Sequence, residues 1–190
     1  MMADLLYPLT LFCQDSGHPL PAFEVIDGRS MPQPYERLLV HSGDMTSKLE
    51  EFHNGAMELR VLHHELDVDV YRREVLLCVQ QTGLPVEYGA IEIYLAAFDP
   101  ALRELILEGH LPLGGLLNQH GFRYRSEPRA FVRLEPNAAM TALFELPGAV
   151  ELYGRVNVLL SEEGSRLARI VEVLRPAEPA AAQAPAQREA

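Results

Sequence analysis

The chain lacks tryptophan and almost lacks cysteine, and no apolar run in it reaches the ~20 residues that a membrane-spanning helix needs. Its two cysteines, Cys13 and Cys78, have no CxxC spacing, which points to free thiols in a reducing compartment rather than to a disulfide. The seven histidines are scattered and none stands in an HExxH pair, so no metal site is expected. Basic side chains are also scarce. Against 27 Asp and Glu there are 16 Lys and Arg, a formal net charge of −11, which disfavours contact with nucleic acid or an anionic membrane. A small anionic ligand remains compatible with that charge, because a local cationic pocket can exist inside an acidic protein. The N-terminal stretch "MMADLLYPLTLFCQDSGHPLP" has neither the basic start nor the long apolar core of a secretion signal, and a cytoplasmic location is expected.

The 190 residues, 48% of them hydrophobic, suit one domain with a real core and, as the mild default, a monomer. Residues 1–33 are proline-rich and weakly periodic and read as an irregular lead-in. Residues 34–176 carry the periodic segments, and 177–190, "AEPAAAQAPAQREA", read as a disordered Ala/Pro-rich tail. Helical patterns occur in "PYERLLVH" and "DMTSKLEEFH", the second with Asp44 or Thr46 as its cap. Strand patterns follow at 56–69, 71–80 and 85–98. The segment 99–109 has an Asp-Pro start and a Gly stop, the marks of a helix. Beyond it lie a strand at 122–135 interrupted by Pro128, a short helix after Pro136, and a hairpin across "SEEG". This order is not the βαβα alternation of a parallel sheet. It predicts an α+β fold with a single antiparallel sheet of about six strands and helices on one side.

Two charges are aimed at apolar faces. In "YRREVLLCV", Arg73 shares a face with Val75, Leu77 and Val79; in "RLARIVEVLRP", Glu172 shares one with Ala168, Ile170 and Leu174. A buried charge calls for an ion pair, neutralisation, or a cavity whose ligand supplies the partner. Arg73 and Glu172 could pair with each other, and a register shifted by one would send both to solvent. The segment "LPLGGLL" adds a tight turn whose free N–H groups suit an anion. The third reading is an internal ligand cavity holding a small ring, with a carboxylate on Arg73 and a hydroxyl near Glu172.

Other residues read plainly. His63 and His64 face opposite sides of a strand. Asn118, Gln119 and His120 suit a helix surface, although they could line the cavity, and Met57, Leu59 and Val61 alternate as core positions. Glu87 and Glu92 fall on opposite faces of one strand, so at least one is expected in solvent, and neither is assigned a role.

The segments "GDMTSKLEEF", "YRREVLLC", "LPLGGLL", "LYGRVNVLL" and "RIVEVLRP" occur in the order and approximate spacing of the chorismate pyruvate-lyase family, and residues 36–176 resemble that family. The resemblance implies an antiparallel sheet with helices to one side, an internal cavity under flaps, and removal of pyruvate from chorismate to leave 4-hydroxybenzoate, a precursor in quinone biosynthesis. It implies no cofactor and no metal. It assigns catalysis to Arg73 and Glu172, and substrate binding to Arg73, to the main chain of Met45, to Leu113 with its neighbour Gly114, and to Arg155. Arg155 fits a solvated rim position equally well, since it shares a face with Glu151, Tyr153 and Asn157. The region 118–149 departs from the family pattern where a flap would fall.

Two functions compete. One is the lyase. The other is a non-catalytic binding protein for a small aromatic carboxylate, similar to the effector-sensing domains of transcription regulators. For the second, the 33-residue lead-in looks too short and too acidic to hold a winged helix. Retention of both Arg73 and Glu172 tilts the sequence reading to the enzyme.

Overall fold

In the computed structural model, which describes residues 5–148 and 150–177, seven strands form one fully antiparallel sheet. They are β1 (Ala22–Ile26), β2 (Met57–Asp67), β3 (Val70–Val79), β4 (Pro85–Tyr94), β5 (Tyr124–Glu135), β6 (Leu152–Ser161) and β7 (Arg166–Leu174), in the spatial order β1-β5-β6-β7-β4-β3-β2. Six helices accompany them: α1 (Leu9–Asp15), α2 (Tyr35–Leu39), α3 (Met45–His53), α4 (Pro100–Glu108), α5 (Leu113–Gln119) and α6 (Ala138–Leu143).

Local chemistry sets several of these boundaries. Asp44 caps α3 by accepting from the Ser47 N–H at 2.8 Å, and Asp99 caps α4 by accepting from Leu102 N–H at 2.9 Å. Gly109 ends α4 in the left-handed conformation at φ 70°, where a side chain would be strained. Pro128 has no N–H for the ladder, and the register of β5 against β6 slips between Pro128 and Ala130.

Alternation along the strands divides the core. On one face, Leu76, Tyr88, Val171 and Val173 meet Leu9 and Phe12 of α1 and Met140 and Phe144 beside α6. On the other face two clusters stand apart. Leu102, Ile106, Leu116 and Leu117 of α4 and α5 cover Ile93, Leu159 and Ala168, while Leu38, Met45 and Leu49 of α2 and α3 cover Leu77 and Leu174. Strand β4 is covered on both faces, which is why its sequence is apolar almost throughout.

The antiparallel α+β architecture is the expected one, with three differences. The sheet has seven strands rather than about six, because part of the stretch read as an irregular lead-in forms α1 and the edge strand β1, paired to β5. Helices occupy both faces: α1 and α6 bury the side of the sheet opposite α2–α5. The region 118–149, which falls where the family would place a flap, holds the expected strand and short helix as β5 and α6, and these belong to the body of the fold. Residues 178–190 of the anticipated tail lie outside the described residues. Both cysteines are free and buried, in the core under α1.

Glu87 and Glu92 are both buried, against the expectation that one would reach solvent, because β4 has no open face. Glu92 is satisfied by Arg72 at 2.6 Å, by Tyr94 at 2.6 Å and by the Tyr7 hydroxyl. Glu87 faces the other way.

Candidate functional site

Between the two clusters under α2–α5, the sheet is left uncovered and a cavity opens, with about 590 Å³ of space including its mouth. Its floor is Gly89, flanked across the ladder by Val75 on β3 and Glu172 on β7. A methyl group on Gly89 would sit 2.9 Å from a Val75 methyl, so glycine here keeps the floor open. The roof is formed by the starts of α3 and α5. They approach closely: a side chain on Gly114 would lie 2.9 Å from Asp44, and Asn118 donates to Asp44 at 3.2 Å.

All six residues singled out in the sequence (Arg73, Glu172, Met45, Leu113, Gly114 and Arg155) line this one cavity. Met45 and Leu113 stand at the first positions of α3 and α5, where helix geometry leaves main-chain N–H groups without an intrahelical acceptor.

The charges are arranged differently from either simple expectation. Glu172 does not pair with Arg73. Its partner is Arg155, directly opposite it in the β6–β7 ladder, whose Nε and Nη2 donate to the two carboxylate oxygens. Arg155 is fully buried, not a rim residue, and its Nη1 also donates to the main-chain oxygens of Leu39 at 3.3 Å and His41 at 3.2 Å. Burial and this guanidinium together hold the His41 imidazole below its ordinary range, so the ring is neutral near pH 7.

Arg73 is left without an acid. It is 2% exposed, and its Nη2 donates to the Leu111 carbonyl at 3.1 Å. Nε and Nη1 are buried and unpartnered, with the Tyr71 ring 6.0 Å away. Burial lowers its pKa, yet a guanidinium keeps its charge at any ordinary pH. The result is a desolvated cation with free donors facing a cavity, an arrangement that binds an anion with a planar fork of acceptors.

Sequence reasoning missed Glu87. This carboxyl is 5% exposed, lines the same cavity, and has an unpartnered Oε2. Burial, with the neighbouring Glu172 carboxylate, raises its pKa well above the carboxylate range, and the more distant help of Arg155 does not offset this. The environment of Glu87 thus favours its protonated form. The signal that could have found it is the length of the apolar run around it: in a strand buried on both faces, every carboxyl is interior whatever its parity.

Two stability predictions follow from these charges. Arg155→Met strands the Glu172 carboxylate beside Glu87 and should cost roughly 3–5 kcal/mol in urea unfolding; an unchanged midpoint contradicts the pairing. Glu87 stays protonated when folded, so its contribution is intact below the unfolded carboxylate pKa of about 4.3 and is lost as pH rises toward the higher folded value. Glu87→Gln should accordingly match the wild type near pH 4 and melt at an increasingly higher temperature relative to it through pH 8. A difference that does not change with pH contradicts that assignment.

No family model and no curated protein sequence matches the chain. Solved structures do. PhnF from Mycobacterium smegmatis superimposes with a TM-score of 0.57 at 14% identity, over 72% of this chain and 65% of PhnF. The separate effector domain of PhnF gives 0.54 at 14% identity, over 70% of this chain and 88% of that domain. A GntR-family transcriptional regulator from Bacillus cereus gives 0.47 at 15% identity, over 63% and 92%. The chain thus spans less than two thirds of full-length PhnF. What is shared is a fold: an α+β, chorismate lyase-like antiparallel sheet of the kind seen in the PhnF effector domain.

Proposed function

We propose that this chain is a binding module for a small aromatic carboxylate, held with its carboxylate on Arg73 and its ring over Gly89, and that it does not turn the ligand over. The observation that carries this reading is the buried, unpaired guanidinium of Arg73 facing the cavity. Leaving such a charge without a partner is costly, and a bound carboxylate removes the cost. On this reading the main-chain N–H groups of Met45 and Leu113, which line the same cavity at helix starts, add to the anion's hydrogen bonds. The likeness to the PhnF effector domain supports a binding role.

The argument for catalysis was that a pure binder had no use for Glu172. The Arg155 pair supplies a structural use, and it fixes the carboxylate in place. A second reading, chorismate pyruvate-lyase, is favoured by the convergence of Arg73, Met45, Leu113 and Glu172 on one cavity. Aromatisation of chorismate is strongly downhill, so an enzyme there would mainly have to bind, orient and assist proton movement.

Two measurements on the full chain separate these readings. In calorimetry, Arg73→Met should weaken 4-hydroxybenzoate binding by at least ~30-fold, the effect of removing one partner of a buried charge pair. The ligand-free variant should melt no lower than the wild type, since an uncompensated charge has gone. Unchanged affinity rejects the site. Incubated with chorismate, the protein should leave it intact; equal release of pyruvate and 4-hydroxybenzoate, lost in Arg73→Ala and Glu172→Ala, establishes the lyase instead.

A further inference from the structure

The cavity contains two buried polar side chains with unpartnered atoms, Arg73 and Glu87. They stand at opposite ends of its floor. In the β3–β4 ladder Glu87 pairs with Leu77, Gly89 with Val75, and Ile91 with Arg73, so four residues of β3 separate Arg73 from the position facing Glu87. At a strand rise of about 3.3 Å per residue this is roughly 13 Å along the sheet, with bare Gly89 midway. The Arg73 guanidinium reaches to the Leu111 carbonyl at one end, and the Glu87 carboxyl lies 3.8 Å from the side-chain position of Gly89. Gly89, which has no side chain, lies in the register between them, with the Glu87 carboxyl close beside it.

The neighbours of Glu87 decide what it can do. Arg155 does not serve it, because that guanidinium directs its donors to Glu172, Leu39 and His41. Glu172, ion-paired and lining the cavity, offers acceptor oxygens and no proton. We propose that Glu87 is a specificity-determining residue, donating a hydrogen bond from Oε2 to a hydroxyl oxygen on the ring end remote from Arg73, while Glu172 accepts the hydrogen of that same hydroxyl. The inference rests on the aromatic-carboxylate reading above and extends it to the ligand's other end. One donor beside one acceptor matches a hydroxyl, which needs both, and disfavours a bare ring, which would leave Glu87 Oε2 unpartnered. Burial and the neighbouring Glu172 carboxylate both favour the proton that this donation requires. A buried carboxyl held neutral so that it can donate is an arrangement known from other binding pockets.

The test is calorimetric titration at pH 7 of wild type, Glu87→Gln and Glu87→Leu with 4-hydroxybenzoate and with benzoate. The wild type should prefer the hydroxylated acid by about tenfold or more, the value of one good hydrogen bond. Glu87→Leu should reduce that ratio to about twofold or less, whereas Glu87→Gln, whose amide N–H can donate from the same place, should retain most of it. Melting temperatures establish that both variants are folded. A wild type without preference, or a preference that survives in Glu87→Leu, overturns the role of Glu87 and leaves the Arg73 site standing. If neither acid binds the wild type, or if both bind Arg73→Met as well as they bind the wild type, the carboxylate site itself fails, and the inference with it.

Discussion

The ion pair between Arg155 and Glu172 is the interaction on which the rest of the site depends. Two arginines and two glutamates face one apolar cavity, and simple pairing would neutralise all four. Ladder geometry prevents it. Arg155 stands directly across from Glu172 on β6 and β7, whereas Arg73 lies on β3 with β4 between it and Glu172. The one acid held as a carboxylate is therefore taken by the one arginine that also reaches the main chain of Leu39 and His41. Arg73 is left charged without an acid, and Glu87 is left with an unpartnered Oε2 where burial favours its protonated form. These two unmet demands define what the cavity can accept.

The floor and roof keep those demands unmet by the protein itself. Gly89 removes the side chain that would have filled the space between them, and α3 and α5 approach closely at Asp44 and Gly114 to form the roof. In such surroundings a single well-aligned hydrogen bond to a charge is worth more than it would be at the surface. The polar ends and the apolar middle, with Ile91, Leu159 and Ile170 among its walls, describe a ligand with a flat ring and a carboxylate.

Much of this was legible in the sequence. Period-two alternation placed Arg73 and Glu172 on inward faces, the Asp-Pro and Gly signals bounded α4, and Asp44 marked the start of α3. What could not be read was pairing across the sheet. Alternation gives the face of a residue but not its neighbour on the next strand, so the sequence offers Arg73 as a partner for Glu172, whereas the β4–β7–β6 order puts Arg155 there. For the same reason Arg155 read as a rim residue, although β6 is a central strand. Glu87 was passed over because parity assigns one face of a strand to solvent, which fails when helices cover both sides. The lead-in was misread because α1 and β1 are short and their partners lie far along the chain, those of β1 in β5 and those of α1 in β3, β4 and α6.

The central claim is that Arg73 anchors a ring carboxylate, with the opposite end of the ring directed toward Glu87 and Glu172. A crystal of the protein grown with 4-bromobenzoate tests it most directly, because the anomalous signal of bromine marks one end of the ligand. The account predicts a single strong bromine peak inside the cavity, beyond Gly89 on the Glu87 side, with the carboxylate within hydrogen-bonding distance of Arg73 Nε or Nη1. A peak beside Arg73, or ligand bound only outside the cavity, would contradict it.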